Sequence, residues 1–153
     1  MDKTIKEQID TINQRLNKLN FLYHIAAVKS DITNGEISVW SVLLESDEEC
    51  SQQDISDMFF LPKQTVNSII SNLVKKGFVY IEHVSGTRNR KVICLTEAGR
   101  AFGESKVSWI FQAEEKALEQ ADSEQVQACI EMIETYISHL KKEFDKNDEM
   151  EVT

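Results

Sequence analysis

The chain has 153 residues, of which 41% are hydrophobic and 28% are charged, a composition typical of one soluble domain with its own core. Five glycines and one proline leave little material for turns, so we expect a mainly helical structure. The formal net charge of −9 argues against binding to nucleic acid, unless basic residues are segregated on one part of the surface.

Several protein classes are excluded by absent features. The N-terminal run MDKTIKEQID is polar and charged, which does not resemble a signal peptide, and no apolar run approaches the roughly 18 residues of a membrane span. The cysteines and histidines are widely spaced, and no nucleophile motif or phosphate-binding glycine loop is present. We therefore expect a cytoplasmic protein that is not an enzyme, has no disulfide framework and needs no metal or cofactor.

Both ends of the chain carry an apolar stripe at helical spacing. The N-terminal stripe consists of Ile5, Ile9, Ile12, Leu16, Leu19 and Tyr23. The C-terminal stripe consists of Val126, Ile130, Ile133, Ile137, Leu140 and Phe144. Each helix could pack on the core of its own domain, or the two could pair with a second subunit. We favour the second interpretation because the compact middle of the chain has a core of its own.

The middle of the chain holds three shorter helices. Thr33 to Glu36 and Ser51 to Asp54 are typical of capping boxes, each opening a helix. Pro62 suits the first position of the third helix, and Gly77 suits its C-terminal cap. Buried positions predicted on these helices include Val39, Trp40, Leu43, Ile55 and Met58.

The period of the pattern then changes. Residues 78–84 and 91–95 are rich in β-branched and aromatic side chains, which predicts two strands joined by a turn at residues 85–90. Another helix begins near Thr96, with Phe102, Trp109, Ile110, Ala113 and Ala117 as predicted buried positions. The element order is four helices, a hairpin and two helices. Residues 51–96 are therefore predicted to form a winged helix-turn-helix.

The helix predicted over residues 62–76 has two different sides. Val66, Ile69, Ile70 and Leu73 form a face that we expect to be buried. The other side, here called the recognition face, consists of Lys63, Gln64, Thr65, Asn67, Ser68, Ser71, Asn72 and Lys75. These side chains can bond to base edges and phosphates, and no Asp or Glu occurs between Asp57 and Glu82. The alternative is an ordinary amphipathic helix with an uncharged outer side.

The local charge removes the objection that the net charge raises. Residues 61–100 contain seven basic and two acidic residues, a net charge of +5, so the rest of the chain carries −14. Arg88, Arg90 and Lys91 lie at or beside the hairpin turn, where an arginine could enter a minor groove or bind a phosphate. The residues predicted to bind DNA are Gln52, the recognition face, Arg88, Arg90 and Lys91.

The run LPKQTVNSIISNLVKKGFV, residues 61–79, resembles the recognition helix and first wing strand of the MarR (multiple antibiotic resistance regulator) family. The run GTRNRKVICLTEAG, residues 86–99, is similar to the wing of that family and its closing Leu-Thr-x-x-Gly. The resemblance implies a homodimer joined by the terminal helices, a pseudo-palindromic operator, usually repression, and Arg88 as the wing-tip residue. Gly86 departs from the pattern, because the family commonly has an aspartate there.

The resemblance also sets the expected organisation. The whole chain, 1–153, would be one mainly α regulator domain, with a winged helix-turn-helix lobe at 32–100 flanked by helical dimerisation regions at 1–30 and 101–145. Many relatives release DNA when a small ligand binds between these parts, and Tyr23, His24 and Trp40 are candidate linings.

Other interpretations stay open. A redox sensor would use a reactive cysteine, with Cys50 the best candidate because it is predicted in a polar loop, although neighbouring acids disfavour a thiolate. Cys94 and Cys129 are predicted to be small buried side chains. Two alternatives remain: a metal-responsive winged-helix protein, and a winged-helix protein that binds another protein.

Overall fold

The structure is a computed structural model that describes residues 3–46, 49–87 and 89–151. Its elements follow the predicted order: α1 (Lys3–Lys29), α2 (Asn34–Glu45), α3 (Gln52–Phe59), α4 (Lys63–Lys75), β1 (Val79–His83), β2 (Lys91–Leu95), α5 (Glu97–Glu119) and α6 (Ser123–Glu151). The predicted fold class, mainly helical with a two-stranded wing, is confirmed.

Both predicted capping boxes are present. Thr33 and Glu36 exchange side-chain and backbone hydrogen bonds at the start of α2, and Ser51 and Asp54 do the same at the start of α3. The prediction for Pro62 is wrong by one residue: it is the N-cap of α4, with extended backbone, and Lys63 is the first helical residue.

The core of the winged helix-turn-helix is formed where α2, α3, α4 and the hairpin meet. Its fully buried side chains include Val39, Trp40, Ile55, Val66, Ile70, Leu73 and Val79, and Val107 of α5 is fully buried as well. The predicted buried face of α4 is confirmed, since Ile69 is also buried. The prediction that Met58 is buried is wrong, because 57% of this residue is exposed.

The hairpin pairs antiparallel, with Val79 opposite Leu95 and His83 opposite Lys91. Gly77, with φ of +73°, ends the α4 segment in the left-handed conformation expected of a C-terminal glycine. The N–H of Ile93 donates to the carbonyl of Cys50 at 2.8 Å, so the segment before α3 is bonded to the outer edge of β2. This bond ties the wing to the beginning of the helix-turn-helix.

The chain divides into two compact units, Met1–Ile110 and Phe111–Thr153. In the second unit, Asp122 Oδ1 accepts hydrogen bonds from the N–H groups of Glu124 and Gln125 and so caps α6. The apolar stripe of α6 is largely exposed, with 48% of Ile133, 59% of Ile137 and 61% of Phe144 accessible. Cys129, Ala113 and Ala117 are exposed as well, contrary to prediction.

Among the described residues, no helix is long and apolar enough to span a membrane. Within the same residues, no group of three or more His, Cys, Asp or Glu side chains is placed to hold a metal ion.

Candidate nucleic-acid interface

The recognition face is presented by a helix whose opposite side is locked into the core. Seven of its eight residues are exposed and Ser71 is half-buried, whereas Val66 and Ile70 have no exposed surface. None of the eight is acidic, and no ion pair between described residues involves them. The face is therefore a rigid, polar and weakly basic surface.

The turn that enters α4 is well defined. Phe60 ends α3 in the left-handed conformation, with φ of +52°, and 93% of it is exposed. The buried Ser56 holds the turn from below: its hydroxyl donates to the carbonyl of Leu61 at 2.7 Å, and its carbonyl accepts from the N–H of Leu61. Sequence analysis did not single out Phe60, because an aromatic residue in an apolar run is ordinarily assigned to the core.

Arg90, the residue directly before β2, bonds back to the helix-turn-helix. Arg90 Nη2 donates to the carbonyl of Glu49 at 3.3 Å and lies 3.5 Å from the Asp54 carboxylate. Arg90 was predicted to bind DNA, and in this structure it joins the turn end of the hairpin to the start of α3. Lys91 is exposed, and Arg88, the predicted wing-tip residue, lies outside the described residues.

Asp54 is the carboxylate at this junction. The N–H and hydroxyl of Ser51 both donate to it at 2.8 Å. These hydrogen bonds, the backbone one foremost, and to a smaller extent Arg90, lower the pKa of Asp54, so its ionised form is the one that this structure favours.

The residues that follow the C-terminal end of α4 are hydrogen-bonded to the beginning of α5. The Thr96 N–H donates to the carbonyl of Phe78 at 3.0 Å, and the Thr96 hydroxyl lies within bonding distance of the carbonyls of Gly77 and Phe78. The same hydroxyl accepts from the N–H of Gly99. A Cβ at Gly99 would lie 1.9 Å from the carbonyl oxygen of Phe78, so only glycine allows this approach. The Leu-Thr-x-x-Gly motif thus positions the recognition helix.

The remaining predicted site residues are dispersed. Gln52 is half-buried as the first residue of α3. Trp40 is completely buried against Phe102 and Gly103, and no acceptor among the described residues bonds its Nε1. Tyr23 is half-buried and His24 is exposed on α1.

A groove that sequence analysis missed lies between the end of α1 and α5. Trp109 Nε1 donates to the Ser30 hydroxyl at 2.9 Å, and that hydroxyl donates to the carbonyl of Lys106 at 2.7 Å. Lys29 Nζ lies 4.6 Å from the centre of the Trp109 ring. The open groove, about 320 Å³, is lined by these residues together with Asp31 and Ser105. Trp109 was predicted to be buried, but 38% of it is exposed.

Neither Cys50 nor Cys94 is placed as a redox-active thiol would be. Cys50 is buried rather than placed in an open loop. Cys94 is half-buried, and burial, followed by the hydrogen bond to Glu82, raises the pKa of its thiol. A raised thiol pKa opposes formation of the reactive thiolate.

Comparison with known proteins agrees with this geometry. Residues 27–97, which contain the whole helix-turn-helix and wing, match the family described as sugar-specific transcriptional regulator TrmB. No curated protein matches the chain. A MarR family regulator from Neisseria meningitidis has a TM-score of 0.80 at 18% identity, covering 92% of this chain and 98% of that one.

Two further solved structures were determined with a bound molecule. MepR from S. aureus, in complex with DNA, has a TM-score of 0.64 at 22% identity, covering 85% of this chain and 94% of that one. CouR from Rhodococcus jostii, bound to p-coumaroyl-CoA, has a TM-score of 0.70 at 17% identity, covering 88% of this chain and 95% of that one.

These likenesses define the class of protein: a winged helix-turn-helix protein. Its particular fold is that of the MarR-family regulators, and the resemblance carried by the recognition-helix and wing motifs is confirmed at that level.

Proposed function

We propose that the protein is a sequence-specific, double-stranded-DNA-binding transcription regulator that acts as a homodimer, and that it represses transcription from a pseudo-palindromic operator. The observation that carries this proposal is the recognition face, an acid-free polar surface on a helix whose opposite side is buried in the core. Hydrogen-bonding side chains on such a helix can read base edges in a major groove.

The distribution of charge supports the same function. The segment 61–100 has a net charge of +5 in a chain of −9, so the electrostatic attraction for phosphate is concentrated where the recognition face lies. The acidic remainder would keep other surfaces away from DNA. A regulator needs this asymmetry, because binding through the wrong surface would place no helix in the groove.

The proposal is tested by selecting DNA from a random pool with the purified protein. We expect enrichment of a site with two half-sites about one helical turn apart. Gln64→Ala and Ser68→Ala should each cost about 1–3 kcal/mol at particular base pairs. Lys63→Ala should weaken binding to all sequences and flatten the salt dependence by about one unit of slope.

Lys116→Ala provides the matched control, since Lys116 is an exposed lysine on α5 outside the recognition face. Equal salt dependence for the two lysine variants would contradict the role of Lys63. Failure to enrich any sequence would contradict the proposal and favour a winged helix used for protein contact.

We also propose that a small-molecule effector releases the DNA, and that it binds in the groove beside Trp109. Two lysines, Lys29 and Lys106, and an exposed indole ring suit an anionic aromatic compound. Aromatic carboxylates should therefore raise the unfolding temperature and dissociate the operator complex, and Lys29→Gln should weaken both effects. Unchanged release by the Lys29→Gln variant would rule out this groove.

A further inference from the structure

The side chain of Phe60 is almost entirely exposed, so it adds almost no buried surface to the fold. It is 93% exposed, more than any other large hydrophobic residue among those described. It also holds the left-handed conformation, with φ of +52°, at the helix end where glycine or asparagine is normally found. A bulky residue in this conformation is locally unfavourable, and such strain is concentrated at functional sites.

The turn keeps Phe60 in a fixed place at the recognition face. Phe60 precedes Lys63, the first residue of α4, by three positions, so their Cα atoms lie within about 11 Å. The buried Ser56 holds the turn through its hydroxyl and carbonyl, both bonded to Leu61. The N-terminal end of a recognition helix is the part that meets base edges in helix-turn-helix complexes. An exposed phenyl ring there would enter or border the major groove.

We propose that Phe60 is a specificity-determining residue that packs on the C5-methyl group of a thymine in the operator. This inference rests on the proposed DNA-binding function. The thymine methyl is the apolar feature that distinguishes base pairs in the major groove, and a phenyl ring is one of its natural partners. Polar and basic residues of the adjoining recognition face, together with the absence of acids from 58 to 81, favour DNA over a protein as the partner.

The test replaces each thymine of the selected operator, in turn, with deoxyuridine, which lacks only the methyl group. For the wild-type protein we expect binding to weaken by about three- to fivefold at one symmetry-related position in each half-site, the loss for one buried methyl. Phe60→Asn, which tolerates the left-handed conformation, should bind the thymine and deoxyuridine operators equally. Phe60→Leu, which stays apolar, should retain part of the discrimination.

Met58→Asn is the matched control, because Met58 is an exposed apolar residue two positions earlier on α3. It should discriminate the two operators as the wild type does. We expect the Phe60→Asn variant to unfold at or above the wild-type temperature. A lower unfolding temperature would mean that Phe60 stabilises the fold, which would overturn the inference.

Two other results would also overturn it. One is equal discrimination by the Phe60→Asn and wild-type proteins. The other is a changed oligomeric state of the Phe60→Asn variant with methyl discrimination intact, since Phe60 would then bind a second copy of the chain. If the wild-type protein enriches no DNA at all, the proposed DNA-binding function itself is wrong. That outcome differs from a protein that enriches an operator but does not use Phe60 to recognise thymine.

Discussion

At the scale of single residues, the position of the recognition helix depends on a glycine, Gly99, which has no side chain. Gly99 lets the first turn of α5 lie against the backbone of Phe78, immediately beyond α4. Thr96 then bonds to both segments. Because backbone atoms cannot move aside as a flexible side chain can, the contact at Gly99 has little tolerance.

We expect Gly99→Ala to lower the free energy of unfolding by about 2–4 kcal/mol, because the new methyl group would overlap the Phe78 carbonyl. Gly35→Ala is the matched control. Its Cβ would meet only side-chain ends, the Ile69 Cδ1 at 3.1 Å and the Thr65 Cγ2 at 3.7 Å. Alanine is also the better helix former, so the change should be smaller than about 1 kcal/mol. Denaturant unfolding of both variants measures the difference; similar losses would contradict this role of Gly99.

The second residue-scale prediction concerns the start of α3. The pKa of Asp54 is lowered by the Ser51 hydrogen bonds first and by Arg90 last, so ionised Asp54 stabilises the folded state. This stabilisation is complete above the pKa of an unfolded aspartate, about 4, and is lost as the pH falls through the lower folded value. Asp54→Asn should therefore lose stability at neutral pH and depend less on pH below 4.

Thermal unfolding between neutral pH and about pH 2 measures this dependence. Ser51→Ala should cost about 1 kcal/mol at neutral pH through loss of the helix cap. It keeps the backbone hydrogen bond to Asp54, so part of the acid dependence should remain. An Asp54→Asn variant as sensitive to acid as the wild type would disprove the assignment.

At the scale of the elements, the wing is joined to the helix-turn-helix by the buried side chains of Val79, Val92 and Ile93 and by two polar contacts. Ile93 bonds to the backbone of Cys50, and Arg90 spans the gap to Glu49 and Asp54. Both contacts reach the segment that leads into α3. We therefore expect the wing and the helix-turn-helix to bind DNA in one fixed relative orientation. In this arrangement Arg90 holds the wing at its angle to α3.

Arg90→Ala should weaken operator binding by about 1 kcal/mol while the unfolding temperature changes little, since a half-exposed ion pair contributes about 0–1 kcal/mol to stability. Asp54→Asn should weaken binding in the same direction, although Asp54 is acidic and would otherwise repel phosphate. Arg100→Ala is the control, because Arg100 has similar exposure and pairs with Glu104 within α5. Equal effects of the Arg90→Ala and Arg100→Ala variants on DNA binding would contradict the role of the Arg90–Asp54 contact in positioning the wing.

At the scale of the whole molecule, the described terminal helices present more apolar surface than one chain covers. The seam of α1 is exposed at Leu16 and Leu19, and the opposite side is also apolar, with 58% of Phe21, 48% of Ile25 and 64% of Val28 accessible. The C-terminal half of α1 is therefore apolar on two opposite sides, and such a helix surface is normally buried. Together with the stripe on α6, this favours a second copy of the chain as the covering surface.

For the proposed homodimer, Leu19→Lys and Ile133→Lys should each shift the protein from dimer to monomer in light scattering, because each would place a charge among the exposed apolar side chains proposed to form the interface. The wild-type unfolding temperature should rise with protein concentration, as it does for dimers. Asn20→Lys, at an exposed polar position on α1, should remain a dimer. Wild-type protein that is monomeric and still binds DNA would contradict the role of the terminal helices.

Much of this protein was determined by local sequence. The element order, both capping boxes, the buried face of α4 and the Gly77 cap follow from periodicity and capping chemistry, which depend on residues near one another along the chain. The recognition face could be predicted for the same reason, since helical spacing alone separates it from the buried side. Its contacts with DNA stay a prediction.

Tertiary structure decided what depends on residues far apart in the chain. It placed Arg90 beside Asp54, left Trp109 and Met58 exposed, and placed Gly99 against Phe78. It also left Phe60 exposed at the entrance to α4, although apolarity alone would assign that residue to the core. The recognition helix itself was therefore determined by sequence, whereas the groups that support it and extend its surface were decided by packing between distant segments.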